Sequence, residues 1–438
     1  MSEQERDKGL VRAVGTWGLT ASIINIVVGA GIFAVPAALA AGIGPYAPLA
    51  FIVCAVAIGS VAICFAEGGS RIPTSGGAYG YIEAAFGPLI SYVAGTLLWF
   101  SDALACGGVA AALADVAVSV LPPQARAPAH AAVVVGAIGT IAWVNIGGVA
   151  RGTRLVNTAT LVKLIPLAVF VIAGAGAIHS MNFLPSAQPN TGGVGRALIL
   201  ALFAFTGMEV ALAASGEVVQ PARTIPRALA MAMLFVTMLY VAVQVIAQGI
   251  LGASLATSTV PLADAMARIS PALSVLMLVG AALSMLGWMG SDLLGTPRIL
   301  FAFARDGRLP RVLGRVHPHT RAPHVAIVVY AVLAIGVSLT GSFAELAVLS
   351  TLTVAPIYIA GCAAAWRLSR NGVALAGVPL NFRWLRAAML TGICSMLALI
   401  ALASREEILG LAAALAACVI VFWLSNRGQA TRPGPETS

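Results

Sequence analysis

Sixty per cent of the 438 residues are apolar or aromatic, only 9% are charged, and the formal net charge is +9. Such a chain cannot be an ordinary soluble domain and reads as a polytopic membrane protein. The positive balance needs no nucleic acid: membrane topology and anionic lipid account for it.

A bilayer-spanning helix needs about 20 largely apolar residues. Twelve candidates begin near residues 16, 46, 88, 130, 155, 193, 228, 272, 323, 344, 384 and 407, joined by connections too short for a separate soluble domain. The opening MSEQERDKGLVR is polar and charged, unlike a cleavable signal peptide, so the first span is expected to insert and stay. If both termini share a side, 20 of the 25 Lys and Arg residues fall with them. Arg126, Arg196, Arg268 and Arg405 fall opposite, and Lys163 is embedded. The positive-inside rule then predicts cytoplasmic termini and a multi-pass protein of the plasma (inner) membrane.

The first span, Thr16 to Leu39, is interrupted by Gly29-Ala30-Gly31. A broken helix at membrane depth is tolerated only where the freed backbone lines a protein cavity. A second interruption, Ala204-Phe205-Thr206-Gly207, lies about 175 residues later, within an apolar stretch from roughly Gly193 to Ala214. Paired interruptions in the two halves of a chain point to a transporter's substrate site. Each opens a five-span group, and because five is odd the second group starts from the other side of the membrane. The expected architecture is an all-α membrane protein of 12 helices, a five-plus-five inverted repeat with helices 1 and 6 discontinuous. Its parts are a cytoplasmic tail (1–15), a first repeat (16–180), a second (190–370), helices 11 and 12 (380–425) and a cytoplasmic tail (426–438). Two segments, 71–87 and 298–323, read as interfacial or re-entrant pieces, serving as lipid-surface anchors or as gates.

The six cysteines are scattered through apolar spans without metal-ligand spacing, and read as small packing residues. No nucleotide-binding loop occurs, and nothing suggests an enzyme or a cofactor.

Four motifs in order carry a resemblance: GAGIFAVPAAL at 29–39, PTSGGAYGYIEAAFG at 73–87, FAFTGMEVA at 203–211 with EVVQPARTIPRA at 217–228, and FAFARDGRLP at 301–310. Through them the chain resembles the amino acid, polyamine and organocation transporter superfamily, near bacterial amino acid permeases and arginine/agmatine antiporters. The resemblance implies alternating access with an amino acid between the two broken helices. By motif matching, the amides of Ala30, Gly31 and Ile32 would receive its carboxylate, and the carbonyls of Val27, Phe203 and Thr206 its ammonium. Relatives often carry Ser where this chain has Ala30, so one hydroxyl contact is missing. Phe203 matches an aromatic gate, although it also reads as plain packing.

Ionisable groups at membrane depth are costly and are functional candidates by default. Glu209 follows the second interruption; the matching glutamate in the antiporters is associated with proton sensing, and the alternative is a structural carboxyl bonded to unwound backbone. Lys163 occupies, in several relatives, the place where sodium-coupled transporters hold sodium, which disfavours sodium coupling. It is either a carrier of the coupled proton or a fixed tie to carbonyls of span 1. Asp102 and Asp292 match positions facing the substrate side chain that are uncharged or aromatic in the antiporters. They suggest pairing with a cationic amino acid or amine, or else a carboxylate tied to Lys163 or Arg298, or a protonated pair. Asp115, nearer a span end, and Trp288, one turn from Asp292, are secondary candidates.

The expected function is a sodium-independent secondary transporter of amino acids, cationic ones or related amines foremost, by proton coupling or exchange. Its partners would be the substrate, protons and membrane lipid. A neutral amino acid permease and a non-transporting receptor on the same fold are the alternatives. A disulfide-linked heavy-chain glycoprotein is not expected, since the loop PPQARAPAH between spans 3 and 4 has no cysteine.

Overall fold

The computed structural model describes residues 12–73, 78–147, 163–184, 191–305, 307–375 and 378–430. Outside them lie most of the N-terminal tail, Arg151, Arg154, the start of the expected fifth span, Asp306 and the last eight residues. The described residues are helical apart from short turns and one isolated parallel bridge, between Val14 and Val218.

In chain order the α-helices are α1 (Thr16–Val27), α2 (Gly31–Ile43), α3 (Ala47–Arg71), α4 (Ala78–Phe86), α5 (Pro88–Val118), α6 (Pro123–Ile146), α7 (Leu164–Gly174), α8 (Thr191–Phe203) and α9 (Met208–Ala211). They continue with α10 (Pro221–Leu251), α11 (Pro261–Ala267), α12 (Pro271–Gly295), α13 (Pro297–Arg305), α14 (His324–Thr340), α15 (Phe343–Arg370), α16 (Leu385–Ala401) and α17 (Arg405–Ala430). Eight helical stretches are long and apolar enough to cross a membrane, and Thr16–Val27, Leu164–Ala177, His324–Thr340 and Leu385–Ala401 are shorter apolar helices. One of the eight, Gly31–Arg71, runs to 41 residues. At 1.5 Å per residue that is about twice a bilayer's hydrocarbon thickness. Gly44, at φ +55°, divides it by ending α2 in a conformation that a Cβ would strain.

Both expected interruptions are present. Between α1 and α2 the chain leaves helical geometry at Val28 (ψ 76°). Between α8 and α9, Gly207 takes φ +110°. The two breaks pack against each other. A Cβ on Gly31 would stand 3.2 Å from the Cα of Ala204, a crowded contact that glycine avoids, so the first break can approach the second without displacing its backbone. The Tyr240 hydroxyl, fully buried on α10, lies 2.9 Å from the carbonyl oxygens of both Val27 and Ala204 and ties the breaks together.

The packing around them follows from small residues. α5, rich in Ala and Gly, lies along α15, while α3 packs on α10 and α16. At the far end of α3 a buried ion pair, Arg71 Nε to Glu67 Oε1 at 2.7 Å, holds down the segment after α15. Arg71 also donates to the Val373 carbonyl, Ser369 Oγ and Asn381 Oδ1, and Glu67 Oε2 accepts the Phe382 amide.

Two readings of the sequence need correction here. The 71–87 segment does not lie on the lipid surface where it is described: Tyr81 and Ile82 of α4 are fully buried, and the Tyr81 ring stands edge-on to Phe65 at 5.7 Å. An α4 made of small and aromatic residues is apolar enough to enter the bundle. Cys394 is exposed, unlike the other five cysteines, because its face of α16 points outward.

Candidate functional site

A cavity of about 120 Å³ lies where the two interruptions meet. Val27, Ala30, Gly31, Asp102, Phe203, Thr206, Glu209 and Asp292 all line it, drawn from α1, α2, α5, α8, α9 and α12 and the breaks between them. Ile32 is fully buried behind the wall, and Lys163 is likewise set back from it.

The first break presents donors. The amides of Ala30, Gly31 and Ile32 have no hydrogen-bond partner among the described residues, while the Phe33 amide turns back to the Ala30 carbonyl. These are the orphan groups of a helix N-terminus, and their dipoles attract negative charge. Both breaks also present carbonyls, and their availability differs from the sequence expectation. The Val27 carbonyl already accepts from the Tyr240 hydroxyl and the Gly29 amide. That of Phe203 accepts from both the amide and the hydroxyl of Thr206. Thr206 keeps its carbonyl without a partner among the described residues, because the next amides, of Val210 and Ala211, turn to Gly207 instead.

Glu209 is 5% exposed. Its carboxylate receives the Gly207 amide at 3.2 Å on each oxygen, and the Tyr358 hydroxyl at 2.8 Å. It therefore braces the unwound backbone from within its own turn. Lys163, 2% exposed, donates its ammonium hydrogen to the Asn25 carbonyl of α1.

Asp102 and Asp292 converge on one hydroxyl. Thr296 Oγ1 lies 3.0 Å from Asp102 Oδ2 and 2.9 Å from Asp292 Oδ1, and the Tyr330 hydroxyl lies 2.5 Å from Asp292 Oδ2. Neither aspartate pairs with Lys163 or Arg298; among the described residues the ion pairs are Glu67–Arg71, Asp115–His130 and Glu407–Arg196. Two carboxyls at membrane depth thus face a cavity with no cation of the described residues against them. Asp292 is 8% exposed, and Asp102 reaches further into the space.

Phe203 roofs the cavity. Its ring meets Phe343 edge to face at 5.8 Å and 78°. Phe343 in turn lines a separate opening of about 270 Å³ together with Phe33, Met285, Ser258 and Asp115. The aromatic pair therefore stands between the inner cavity and this outer vestibule. Trp288 also lines the cavity, its indole against Gly29.

Sequence reasoning missed Thr296, Tyr330, Tyr240 and Tyr358. Thr296 carried a signal, since it follows Asp292 by four residues and so shares its helix face. The tyrosines carried none: their partners are 36 to 213 positions away in sequence.

The sequence profile of the family described as "Amino acid permease" matches residues 14–423. Similar curated proteins include a methylthioribose transporter of Bacillus subtilis, 29% identical over 74% of each chain. A branched-chain amino acid permease of the same organism is 28% identical over 73% of each. An uncharacterised transporter of Mycobacterium tuberculosis is 36% identical over 72% of each. With eight helical stretches long and apolar enough to cross a membrane and a match spanning nearly the whole length, the chain is a multi-pass membrane protein of the amino acid permease family, part of the wider amino acid, polyamine and organocation superfamily.

Proposed function

We propose that this permease is a sodium-independent secondary transporter of cationic amino acids or related amines, working by alternating access with proton coupling or exchange. One observation carries the reading: Asp102 and Asp292 face the same cavity as the orphan amides of α2, with no cation beside them among the described residues. An α-carboxylate suits the amides, and an ammonium or guanidinium suits the aspartates. Placing the Lys163 ammonium against α1 favours independence from sodium. The reading includes the 12-helix inverted repeat, cytoplasmic termini and residence in the plasma membrane.

A neutral amino acid permease is the second reading, favoured by the relative named for branched-chain amino acids and by the apolar wall of Val109, Phe203, Val210 and Trp288. A thermal-shift screen of the purified protein separates the two, since a ligand of the folded state raises its apparent stability. Arginine, lysine, agmatine or putrescine should stabilise more than leucine or valine. Stabilisation by leucine and valine alone selects the neutral reading, and no response to any of them, with no uptake in liposomes, discards both.

A further inference from the structure

Thr296 has one hydroxyl hydrogen, yet two carboxyl oxygens lie within 3.0 Å of its Oγ1. If both aspartates were ionised, one of these contacts would set lone pair against lone pair, and two like charges would share a dehydrated space. The contacts are satisfied only if one carboxyl carries a proton and donates it to Oγ1 while Oγ1 donates to the other. The neighbours decide which. Asp292 has two hydroxyl oxygens against it, and the 2.5 Å approach of Tyr330 has the length of a hydroxyl donating to an ionised carboxylate. Asp102 has the Thr296 oxygen alone, and its other oxygen is without a partner among the described residues. The ionisable groups facing Asp102 are Cys106 on its own helix α5, whose thiol also bonds to Asp292, Asp292 on α12, Glu209 on α9, Tyr330 on α14 and Tyr358 on α15, with no cation of the described residues among them.

We infer that Asp102 holds the exchangeable proton of the transport cycle, and that a cationic substrate releases it by taking its place. This rests on the cationic reading above. In the ligand-free cavity the chain runs from the Asp102 carboxyl hydrogen to Thr296 Oγ1, and from the Thr296 hydroxyl hydrogen to Asp292 Oδ1. When a substrate ammonium or guanidinium arrives, the O–H bond of Asp102 breaks, its proton leaves to water, and the carboxylate left behind pairs with the new cation. L-Lysine, with two ammonium groups and one carboxylate, brings one net positive charge as one proton leaves, so the cavity keeps the same net charge; agmatine, a dication, leaves it one positive charge higher. Reloading of Asp102 with a proton from the opposite side expels the cation, which makes the step an exchange. Glu209 has no part in it, being occupied by Gly207 and Tyr358.

The test measures binding and proton release separately on the purified full-length protein. Calorimetry of agmatine and L-lysine in buffers of different ionisation enthalpy should give about one proton released per ligand bound. In Asp102→Asn, whose amide can still donate to Thr296, ligand should bind at least tenfold more weakly and release none. In Glu209→Gln the release should persist. Infrared difference spectra of the unmutated protein should lose the carbonyl stretch of a protonated carboxylic acid when ligand is added, which keeps the inference testable should the Asn variant fold poorly. Binding without proton release, or release that survives Asp102→Asn, overturns the exchange while leaving the cationic reading intact. If neither ligand binds, the cationic reading falls and the exchange with it.

Discussion

Phe203 and Phe343 meet edge to face with their centroids 5.8 Å apart, one ring on the inner cavity and the other on the vestibule outside it. They come from α8 and α15, so neither helix can move away from the other without parting the two rings. Such an aromatic contact is worth about 0.5–1.5 kcal/mol beyond its buried area. Phe203→Ala should therefore weaken substrate retention by up to about tenfold and speed efflux of preloaded substrate from liposomes. Unchanged efflux would assign the ring to packing alone.

Tyr240→Phe removes one oxygen and leaves the ring. It strips a hydroxyl from the buried carbonyls of Val27 and Ala204, at an expected cost of about 1–3 kcal/mol. The melting temperature in detergent should fall. Because the hydroxyl links the two breaks, substrate affinity should fall with it, whereas Tyr330→Phe, which touches Asp292 and neither break, should alter preference among substrates more than stability.

Neutralising Asp292 as Asn should weaken binding of lysine, arginine or agmatine by about 2 kcal/mol or more, the scale of a charge-assisted pair. Leucine, should it bind at all, should change little. Competition assays with both ligand types on one preparation check this, and equal losses for both would reduce Asp292 to scaffolding.

Glu67→Gln leaves Arg71, 2% exposed, without its ionic partner. Breaking a buried pair from one side costs about 3–5 kcal/mol, and the guanidinium also holds Val373, Ser369 and Asn381. The expected outcome is a large drop in thermal stability and faster proteolysis in the 371–384 segment. Substrate preference should not change, since neither residue borders the cavity.

Glu209→Gln tests the remaining carboxyl. The amide can still accept from Gly207 and Tyr358, so the fold should survive. With the exchangeable proton on Asp102, the pH profile of uptake should keep its shape; a flattened profile would place proton sensing at Glu209 instead.

The interruptions were legible because glycine is a statement about backbone: Gly31 and Gly207 mark where a helix must stop, whatever surrounds it. The buried charges were legible for a similar reason, since an aspartate at position 102 or 292 contradicts the apolar run it sits in. Their partners were not. Nothing local to Tyr330 or Tyr358 indicates that its hydroxyl ends at Asp292 or Glu209, and the expected ties of the aspartates to Lys163 or Arg298 gave way to Thr296. The Glu67–Arg71 pair was readable as an i,i+4 couple inside an apolar span, but its grip on residues 373–382 belongs to tertiary structure. Carbonyl availability is the least legible property of all, because Val27 and Phe203 lose theirs to side chains and amides that only the folded chain brings near.

The short bridge before α1 bears on how the molecule can move. The amides of Ala13 and Val14 donate to the Glu217 carbonyl, and the Val219 amide donates to that of Val14. This stitches the entry of the first interrupted helix to the exit of the second. Any motion that swings α1 aside must either carry residues 217–219 with it or undo three backbone hydrogen bonds at once. The two interrupted helices are thus hinged as one door leaf, fastened at one edge, with residues 13 and 14 as its strap.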